Sequence, residues 1–213
     1  MQMQPSTAVA LAAAKLPGVP APPPYVLTVG PGYVWFQVPK VGSSSIQRLL
    51  GDPPSDFGLE RRKYSLGFYR RRFKFAFVRN PWDRVVSAWR NKIDDPGPRA
   101  RANYQATIDA TGDFDSFVHH LATLDLASCD WHWQLQSVLV DLPRLDFLGH
   151  FETFAPDLRT VMDRIGAEGE IPHHNSTGGD YRELYTPATR ELVARLYARD
   201  IDAFGYTFDG RAS

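Results

Sequence analysis

The sequence is poor in cysteine and contains no long apolar run. One residue of 213, Cys129, is a cysteine, so no disulfide can form within the chain. A transmembrane helix needs about 20 consecutive apolar residues, and no stretch approaches that length. These shortages argue against disulfide-rich and membrane-spanning classes. We therefore expect a soluble cytoplasmic protein with no membrane partner.

The chain also lacks net charge, because its 24 Lys and Arg balance its 24 Asp and Glu. The two signs are nevertheless unevenly distributed. Between residues 60 and 101, thirteen basic residues accompany four acids, whereas between residues 109 and 170 three arginines accompany twelve acids. The basic segment favours an anionic ligand. Because the whole chain is not basic and carries no recognised nucleic-acid motif, we expect a small polyanion rather than nucleic acid.

The length of the chain and its early prolines predict one domain that follows a tail. A chain of 213 residues suffices for a single hydrophobic core. Residues 1–24 are rich in Ala and Pro and are predicted to be loosely ordered, which leaves residues 25–213 as the domain. A signal peptide fits residues 8–14 poorly, because no basic start precedes them and Lys15 follows at once.

Two segments each predict a strand, then a loop, then a helix. Residues 33–38 are aromatic and β-branched, and apolar residues recur at helical spacing from Ile46 onwards. Residues 73–78 form a second such run, and Pro81 suits the first turn of the helix that follows. Ligands of α/β sheets bind at the carboxyl ends of strands, so both loops are candidate binding segments.

The rest of the chain continues this alternation. We predict helices over residues 114–124, 154–165 and 187–201, a strand over residues 146–149 and a loop over residues 166–179. Alternating strands and helices predict the α/β class, with a central parallel sheet flanked by helices.

The first loop has the composition of a phosphate-binding cradle. Residues 38–45 read VPKVGSSS, which places Lys40 and the N–H groups of a glycine and three serines at the start of a helix. The loop differs from the GxxxxGK[ST] loop of nucleoside triphosphatases, because Lys40 precedes Gly42 and no Lys-Ser/Thr pair closes it. On its own, the segment also fits an ordinary tight turn that begins a helix.

Together with the second loop, whose residues 75–88 read FAFVRNPWDRVVSA, this segment resembles sulfotransferase family 2, the carbohydrate sulfotransferases of the chondroitin and dermatan 4-O-sulfotransferase type. The motifs of that family are P-K-x-G-x-[ST]-[ST] and F-V-R-[DN]-P-x-x-R-x-[VL]-S-[AG]. Both are matched in the right order. Less specific similarity continues in three later blocks, residues 130–134, 146–152 and 196–206.

The resemblance implies a P-loop nucleotide-binding-like sulfotransferase fold. It also implies 3′-phosphoadenosine-5′-phosphosulfate (PAPS) as the donor, 3′,5′-adenosine bisphosphate (PAP) as the product, and no required metal. Arg79 and Ser87 match the family positions that bind the 3′-phosphate. The 5′-phosphosulfate then belongs to the first loop, at Lys40, Gly42, Ser43, Ser44 and Ser45. Since charge builds on the bridging oxygen of the leaving nucleotide, Lys40 is also the candidate catalytic cation.

The attacking hydroxyl needs a general base, and two residues are candidates. His132 has a suitable side chain and lies in a block that resembles the family's acceptor-side His-Trp segment. Its alternative role is packing between Trp131 and Trp133. Glu152 is the second candidate, and its alternative role is that of an acid at a helix start or a partner that orients a neighbour.

A late segment, residues 173–182, reads HHNSTGGDYR and resembles the loop that folds over the nucleotide in many sulfotransferases. Asn175, Ser176 and Arg182 are therefore candidate ligands of the 3′-phosphate or the adenine. An exposed loop without that role is the alternative. A zinc site is disfavoured, because no histidine pair has i, i+4 spacing and no cysteine accompanies the histidines.

Three functions are compared, and the favoured one is a PAPS-dependent sulfotransferase that acts on a carbohydrate or small-molecule hydroxyl. A phosphotransferase (kinase) would need a Lys-Ser/Thr pair and a magnesium-binding acidic strand end, and neither is visible. An inactive nucleotide-binding module would be favoured by loss of Lys40 or Arg79, and both are present. Residues 51–72 and 94–113 match no family pattern, so the acceptor and the oligomeric state stay open.

Overall fold

The structure is a computed structural model that describes residues 24–51, 60–63, 70–171 and 179–211. Its main sheet has the strand order β3-β1-β2-β4-β5. The strands are β1 (Pro24–Val29), β2 (Tyr33–Phe36), β3 (Glu60–Lys63), β4 (Phe73–Val78) and β5 (Phe147–His150), and a short hairpin follows near the end of the chain as β6 (Tyr206–Thr207) and β7 (Gly210–Arg211).

Eight α-helices surround the sheet in the described part of the chain. They are α1 (Ser43–Leu50), α2 (Pro81–Trp89), α3 (Pro98–Thr111), α4 (Phe114–Leu121), α5 (Gln136–Leu139), α6 (Phe154–Ile165), α7 (Pro187–Leu196) and α8 (Ala198–Phe204). A π-helical turn, Arg90–Asp94, extends α2, and single 3-10 turns occupy Leu142–Arg144, Phe151–Thr153 and Tyr181–Leu184.

The centre of the sheet is parallel. In its register Trp35 of β2 lies beside Phe75 of β4, and Phe77 of β4 lies beside Gly149 of β5. Every residue of β2 is buried, as are residues 74–78 of β4. Successive side chains of a strand point to opposite faces, so both faces of the sheet are covered here. The predicted α/β class with a central parallel sheet flanked by helices is confirmed.

One edge of the sheet differs from the prediction because it is antiparallel. β1 pairs antiparallel with β2, and β3 pairs antiparallel with β1, so the whole sheet is mixed. A tight connection at residues 30–32 joins β1 to β2, and the Gly30 N–H donates to the carbonyl of Tyr33 across it at 3.1 Å. β1 begins at Pro24, the last residue of the predicted tail, and residues 1–23 lie outside the described residues.

The buried apolar residues form two main clusters. The first joins the sheet to α6 and includes Trp35, Phe77 and Leu158. The second contains no strand residue and joins α2, α4 and α7, with Phe117 and Val193 among its fully buried members. The helical cluster thus lies beyond the carboxyl end of β4, where it fixes the direction in which α2 leaves the sheet.

Two helical regions differ from the predicted ones. α3 was not predicted, and among its side chains only Thr111 is buried. The predicted helix over residues 187–201 is interrupted at Tyr197. This tyrosine is fully buried and donates its hydroxyl to the carbonyl of Trp133 at 2.6 Å. A tertiary contact therefore divides one sequence pattern into α7 and α8. By contrast, α6 and β4 have the predicted bounds.

Gly149 marks a close approach between neighbouring strands. A Cβ at this position would lie 2.5 to 2.8 Å from ring atoms of Phe77. That ring is held by Phe75, Phe147 and Phe154, so it has little room to move.

We predict that Gly149→Ala lowers the free energy of unfolding by about 1 to 3 kcal/mol, because the added methyl overpacks the sheet. Chemical denaturation measures the effect. Gly32→Ala is the control, since a Cβ there meets no atom within 4 Å. Equal stability of the two variants would contradict the packing argument.

Candidate functional site

A cavity of about 820 Å³ opens beyond the carboxyl ends of β2 and β4. Its size is typical of small-molecule sites. Because β2 and β4 are parallel neighbours, the loops that follow them meet at this edge. Seven of the predicted site residues line the cavity, namely Lys40, Gly42, Ser43, Ser44, Arg79, Ser87 and His132.

The loop between β2 and α1, residues 37–42, is called the Lys40 loop. Among the described non-glycine residues only Lys40 has a positive φ, at 72°. Such a backbone conformation is costly for a lysine and persists where surrounding contacts impose it. Gly42 follows with φ 83° and caps α1 without a side chain. The N–H groups at the start of α1 therefore have no side-chain cap, and Ser43 and Ser44, which carry the first two of them, line the cavity.

Arg84 of α2 holds the Lys40 loop in place through a hydrogen bond to its backbone. Arg84 is 1% exposed, and its guanidinium donates to three backbone carbonyls. One is Pro39 of the loop, at 3.1 Å, and the other two are Trp131 at 3.0 Å and Gln134 at 2.8 Å. Arg84 thereby joins the Lys40 loop to the segment that carries His132. The sequence prediction gave Arg84 no role.

Arg79 continues β4 into the cavity and is positioned by its own neighbours. Its Nε and Nη2 donate to the two carboxylate oxygens of Asp83 at 2.8 and 2.7 Å, and its Nη1 donates to the Lys40 carbonyl at 3.1 Å. The guanidinium also lies 4.0 Å from the ring centroid of Phe151. These contacts use three of the five N–H groups of an arginine, so two are left for a ligand.

The backbone of Arg79 is fixed as firmly as its side chain. Gln136 accepts from the Arg79 N–H at 3.0 Å and donates to the Arg79 carbonyl at 2.9 Å. Asp200, which is fully buried, accepts from the N–H groups of Gln136 and Ser137 at 2.7 and 2.9 Å. A buried polar network thus connects α8 to the strand end that carries Arg79.

The cavity is electropositive around Lys40. Burial and, to a smaller extent, the neighbouring charges of Lys92, Arg79 and Arg84 together lower the pKa of Lys40 to about 8. Asp83 pairs with Arg79, and an anion placed beside Lys40 would offset the repulsion that the neighbouring cations exert on it. The charges around Lys40 therefore favour the binding of an anionic ligand.

His132 lies at the other side of the cavity, on the segment held by Arg84. Its Nδ1 is 2.7 Å from Oδ1 of Asp130 and 3.0 Å from the hydroxyl of Tyr104. Burial is the main cause that lowers the pKa of His132 below its usual value, and the hydrogen bond that the ring makes to Asp130 partly opposes it. The imidazole is consequently neutral at pH 7 and able to accept a proton.

The π-helical turn after α2 contributes residues that the sequence prediction did not include. Arg90, Asn91 and Lys92 all line the cavity. Short π-helical segments often occur at functional sites, because they displace side chains from the regular helical spacing. Trp131, which is partly exposed, also lines the cavity and offers an apolar face beside His132. The signal for Arg90 and Lys92 was the excess of basic residues in this part of the sequence.

Ser45 and Glu152 do not line the cavity with the other predicted residues. Ser45 lies in the first turn of α1, after the Lys40 loop, and is buried, with 6% of its surface exposed. Glu152 accepts from the N–H of Asn80 at 2.6 Å and from the hydroxyl of Tyr206 at 2.9 Å. Both of its carboxylate oxygens therefore have partners that connect β4 to the hairpin at the end of the chain.

Arg182 also lies elsewhere. Its Nε donates to both carboxylate oxygens of Asp180 at 2.8 Å, and it lines a second, shallower cavity with Trp82 and Phe208. Asn175 and Ser176 lie outside the described residues. Within the part of the chain that is described, no group of three or more His, Cys, Asp or Glu side chains could hold a metal ion. No helix of that part is long and apolar enough to cross a membrane.

A Gly/Ser loop at a helix start, beside a strand-end arginine, defines an α/β protein that binds an anion at the carboxyl edge of a parallel sheet. The chain belongs to the Sulfotransferase family, whose sequence model matches residues 60–207, more than half of its length. The matched range includes Arg79, Arg84 and His132.

Several carbohydrate sulfotransferases are similar to the chain. It is 27% identical to human carbohydrate sulfotransferase 9 over 206 residues, which cover 79% of the chain and 46% of that protein. It is 28% identical to zebrafish (Danio rerio) carbohydrate sulfotransferase 14 over 158 residues, covering 65% and 40%. It is 27% identical to mouse carbohydrate sulfotransferase 8 over 203 residues, covering 76% and 49%.

The chain thus spans about half the length of the curated relatives that it matches. No solved structure matches it.

We predict that Arg84→Met lowers the free energy of unfolding by about 2 to 5 kcal/mol, because three backbone carbonyls around this buried side chain lose their donor. Thermal and chemical denaturation measure the change. Arg195→Met is the control, since the Arg195 side chain is 62% exposed and pairs only with Glu191 on the surface of α7. That control should change stability by less than about 0.5 kcal/mol. A similar small effect at Arg84 would refute its bracing role.

Proposed function

We propose that the chain transfers a sulfuryl group from PAPS to a hydroxyl group of a carbohydrate. The observation that carries the proposal is the convergence of the Lys40 loop, Arg79 with Ser87, and His132 around one cavity. The first two groups suit the two phosphate ends of the donor, and the third suits the acceptor. Membership of the Sulfotransferase family and similarity to carbohydrate sulfotransferases support the same reaction.

The donor binds with its two anionic ends on different elements. The 5′-phosphosulfate lies against the Lys40 ammonium group and the start of α1, where Gly42, Ser43 and Ser44 face the cavity. The Ser43 hydroxyl donates its one proton to the carbonyl of Val38 at 2.7 Å and keeps the loop closed, so Ser43 binds the anion through its backbone N–H. The 3′-phosphate lies against Arg79, at the end of β4, and against the half-buried Ser87 of α2.

Ser45, Asn175, Ser176 and Arg182 complete the proposed donor site less directly. Ser45 supports the first turn of α1 from its buried position. Arg182 would reach the nucleotide only after leaving Asp180. Asn175 and Ser176 lie outside the described residues, and Gly179, the next residue that is described, lines the cavity.

The reaction is an in-line displacement at sulfur. The acceptor oxygen forms a bond to sulfur, its proton moves to a base, and the bond between sulfur and the bridging oxygen of the 5′-phosphate breaks. The leaving group is PAP, which keeps the bonding electron pair. Negative charge develops on the bridging oxygen, where the Lys40 ammonium group stabilises it. The chain itself supplies this cation, and no metal takes part in the proposed step.

His132 is the proposed base and Glu152 a positioning residue. The imidazole lines the cavity and is neutral at pH 7, which are the two requirements for accepting the proton of a hydroxyl group. Glu152 instead holds the N–H of Asn80, next to Arg79, so its contribution is to keep the end of β4 in place.

The acceptor region lies between His132 and the π-helical turn. Trp131 provides an apolar surface against which the face of a sugar ring can pack, and Arg90, Asn91 and Lys92 provide polar groups around it. Three relatives carry "carbohydrate sulfotransferase" as their name, which favours a glycan or other sugar over a phenol.

Calorimetry with PAP tests the donor assignment. We predict PAP binding that is independent of Mg²⁺ and at least tenfold tighter than binding of ATP with Mg²⁺, because the cavity offers cations and amide groups for two separated phosphate ends. Arg79→Ala should weaken PAP by roughly 10- to 100-fold, the cost of one charge-assisted contact. Preference for ATP with Mg²⁺ would instead favour phosphoryl transfer.

A pH series tests Lys40. Its pKa of about 8 means that the side chain is cationic below pH 8 and loses its charge above it, so PAP affinity should fall as the pH rises from 7 to 9. Lys40→Arg keeps the charge throughout this range and should abolish the fall. Lys40→Ala should reduce turnover by roughly 100-fold or more, because the leaving oxygen loses its cation. A fully active Lys40→Ala enzyme would refute the leaving-group role.

A further inference from the structure

The side chains of Asp130, from the same segment, and of Tyr104, from α3, meet at His132. The His132 Nδ1 is 2.7 Å from Oδ1 of Asp130, and that same oxygen accepts from the His132 backbone N–H at 2.9 Å. The hydroxyl of Tyr104, on α3, lies 3.0 Å from Oδ2 of Asp130 and 3.0 Å from the same Nδ1. The carboxylate, the phenol and the imidazole therefore form a closed cluster.

The hydrogen-bond partners determine where the imidazole proton lies. Hydrogen bonding to His132 and Tyr104 lowers the pKa of Asp130 in spite of its burial, so its carboxyl group is ionised and only accepts. Tyr104 has its pKa raised by burial and by Asp130, so it keeps its one proton and donates it to Oδ2. Both neighbours of Nδ1 are thus acceptors towards it, and Nδ1 must carry the proton.

The other ring nitrogen, Nε2, makes no hydrogen bond to any described residue and carries the lone pair. The ring cannot readily turn, because its edge packs against Tyr104, Trp131 and Trp133 at centroid distances of 6.0, 5.2 and 6.4 Å. His132 lines the same cavity as Lys40. The cluster therefore holds a neutral imidazole with its basic nitrogen unoccupied.

We infer that Asp130 and Tyr104 are positioning residues for the base, and that they fix His132 as the Nδ1–H tautomer with Nε2 as the atom that accepts the acceptor's proton. The inference rests on the proposed function. When Nε2 takes the proton, the ring becomes an imidazolium whose positive charge lies against the Asp130 carboxylate. That carboxylate thus stabilises the charge that develops on the base during transfer.

Other charges also act on the imidazole. Lys92, whose ammonium group lies 5.7 Å from the ring centroid of Tyr104, and Arg84 both lower the pKa of His132, whereas Asp130 raises it. Asp130 is thus the one group in this cluster that favours the protonated ring. Its removal shifts the balance towards the two cations, which lowers the pKa of His132 further.

Asp130→Asn tests the inference, because it removes the negative charge with little change in size. We expect kcat to fall roughly 10- to 1000-fold. The acidic limb of the kcat/KM profile should move to lower pH, since the base now loses its proton more easily. PAP affinity should change by less than about twofold, because Asp130 does not line the donor cavity. Tyr104→Phe keeps the Asp130 charge, so it should lower kcat by less and should not move the acidic limb to lower pH.

Asp125→Asn is the matched control. Asp125 accepts from the backbone N–H two residues later, that of Ala127, at 3.0 Å, as Asp130 does from His132, but it has no histidine partner. Its variant should keep the activity and the pH profile of the unmodified protein. If Asp130→Asn behaves like this control, Asp130 has only the structural role of closing a turn, and the inference is wrong.

A second measurement does not depend on activity. Nitrogen-15 NMR of histidine-labelled protein at pH 8, assigned by comparison with His132→Gln, should show His132 as the Nδ1–H tautomer. A predominant Nε2–H tautomer would overturn the inference. If instead His132→Gln itself keeps full turnover, the proposed base is wrong while the tautomer result still stands, so the two failures are distinguishable.

Discussion

The arrangement of the site depends on a single buried guanidinium. Arg84 has no carboxylate hydrogen-bond partner in the described structure and instead donates to the carbonyls of Pro39, Trp131 and Gln134. Backbone carbonyls cannot move without moving the chain, so these bonds fix two loops relative to α2 and to each other. Lys40 and His132 belong to those loops, and their separation across the cavity is set by one side chain between them.

A second set of contacts, centred on Arg79, connects the Lys40 loop to the rest of the molecule. Arg79 is held through Asp83 on α2, through the Lys40 carbonyl and through Gln136, which in turn depends on the buried carboxylate of Asp200. Breaking one member would leave buried donors or acceptors without partners, which is costly. The network makes α8, far along the sequence, a support for the end of β4. Arg79, one of the cations of the cavity, is thus held in place by a network of hydrogen bonds.

Prediction from the sequence was most accurate where a pattern is local. β4 and α6 have their predicted bounds, because an apolar run or a helical period defines each of them within a few residues. β1 and β3 were missed because their pairing depends on partners elsewhere in the chain. α3 was missed because it buries little beyond Thr111, so its sequence carries no strong helical period. Yet α3 supplies Tyr104, which no motif would have selected.

The sequence by itself determined the class of the fold and the two segments after β2 and β4 that carry Lys40, Arg79 and Ser87, since each is defined by a short stretch of residues after a strand. Only the tertiary structure decided the rest. It placed His132 in the cavity with Asp130 and Tyr104, and it placed Glu152 on Asn80 and Tyr206 instead. Hydrogen-bond partners far apart in the chain are chosen by packing, and packing is a property of the whole fold.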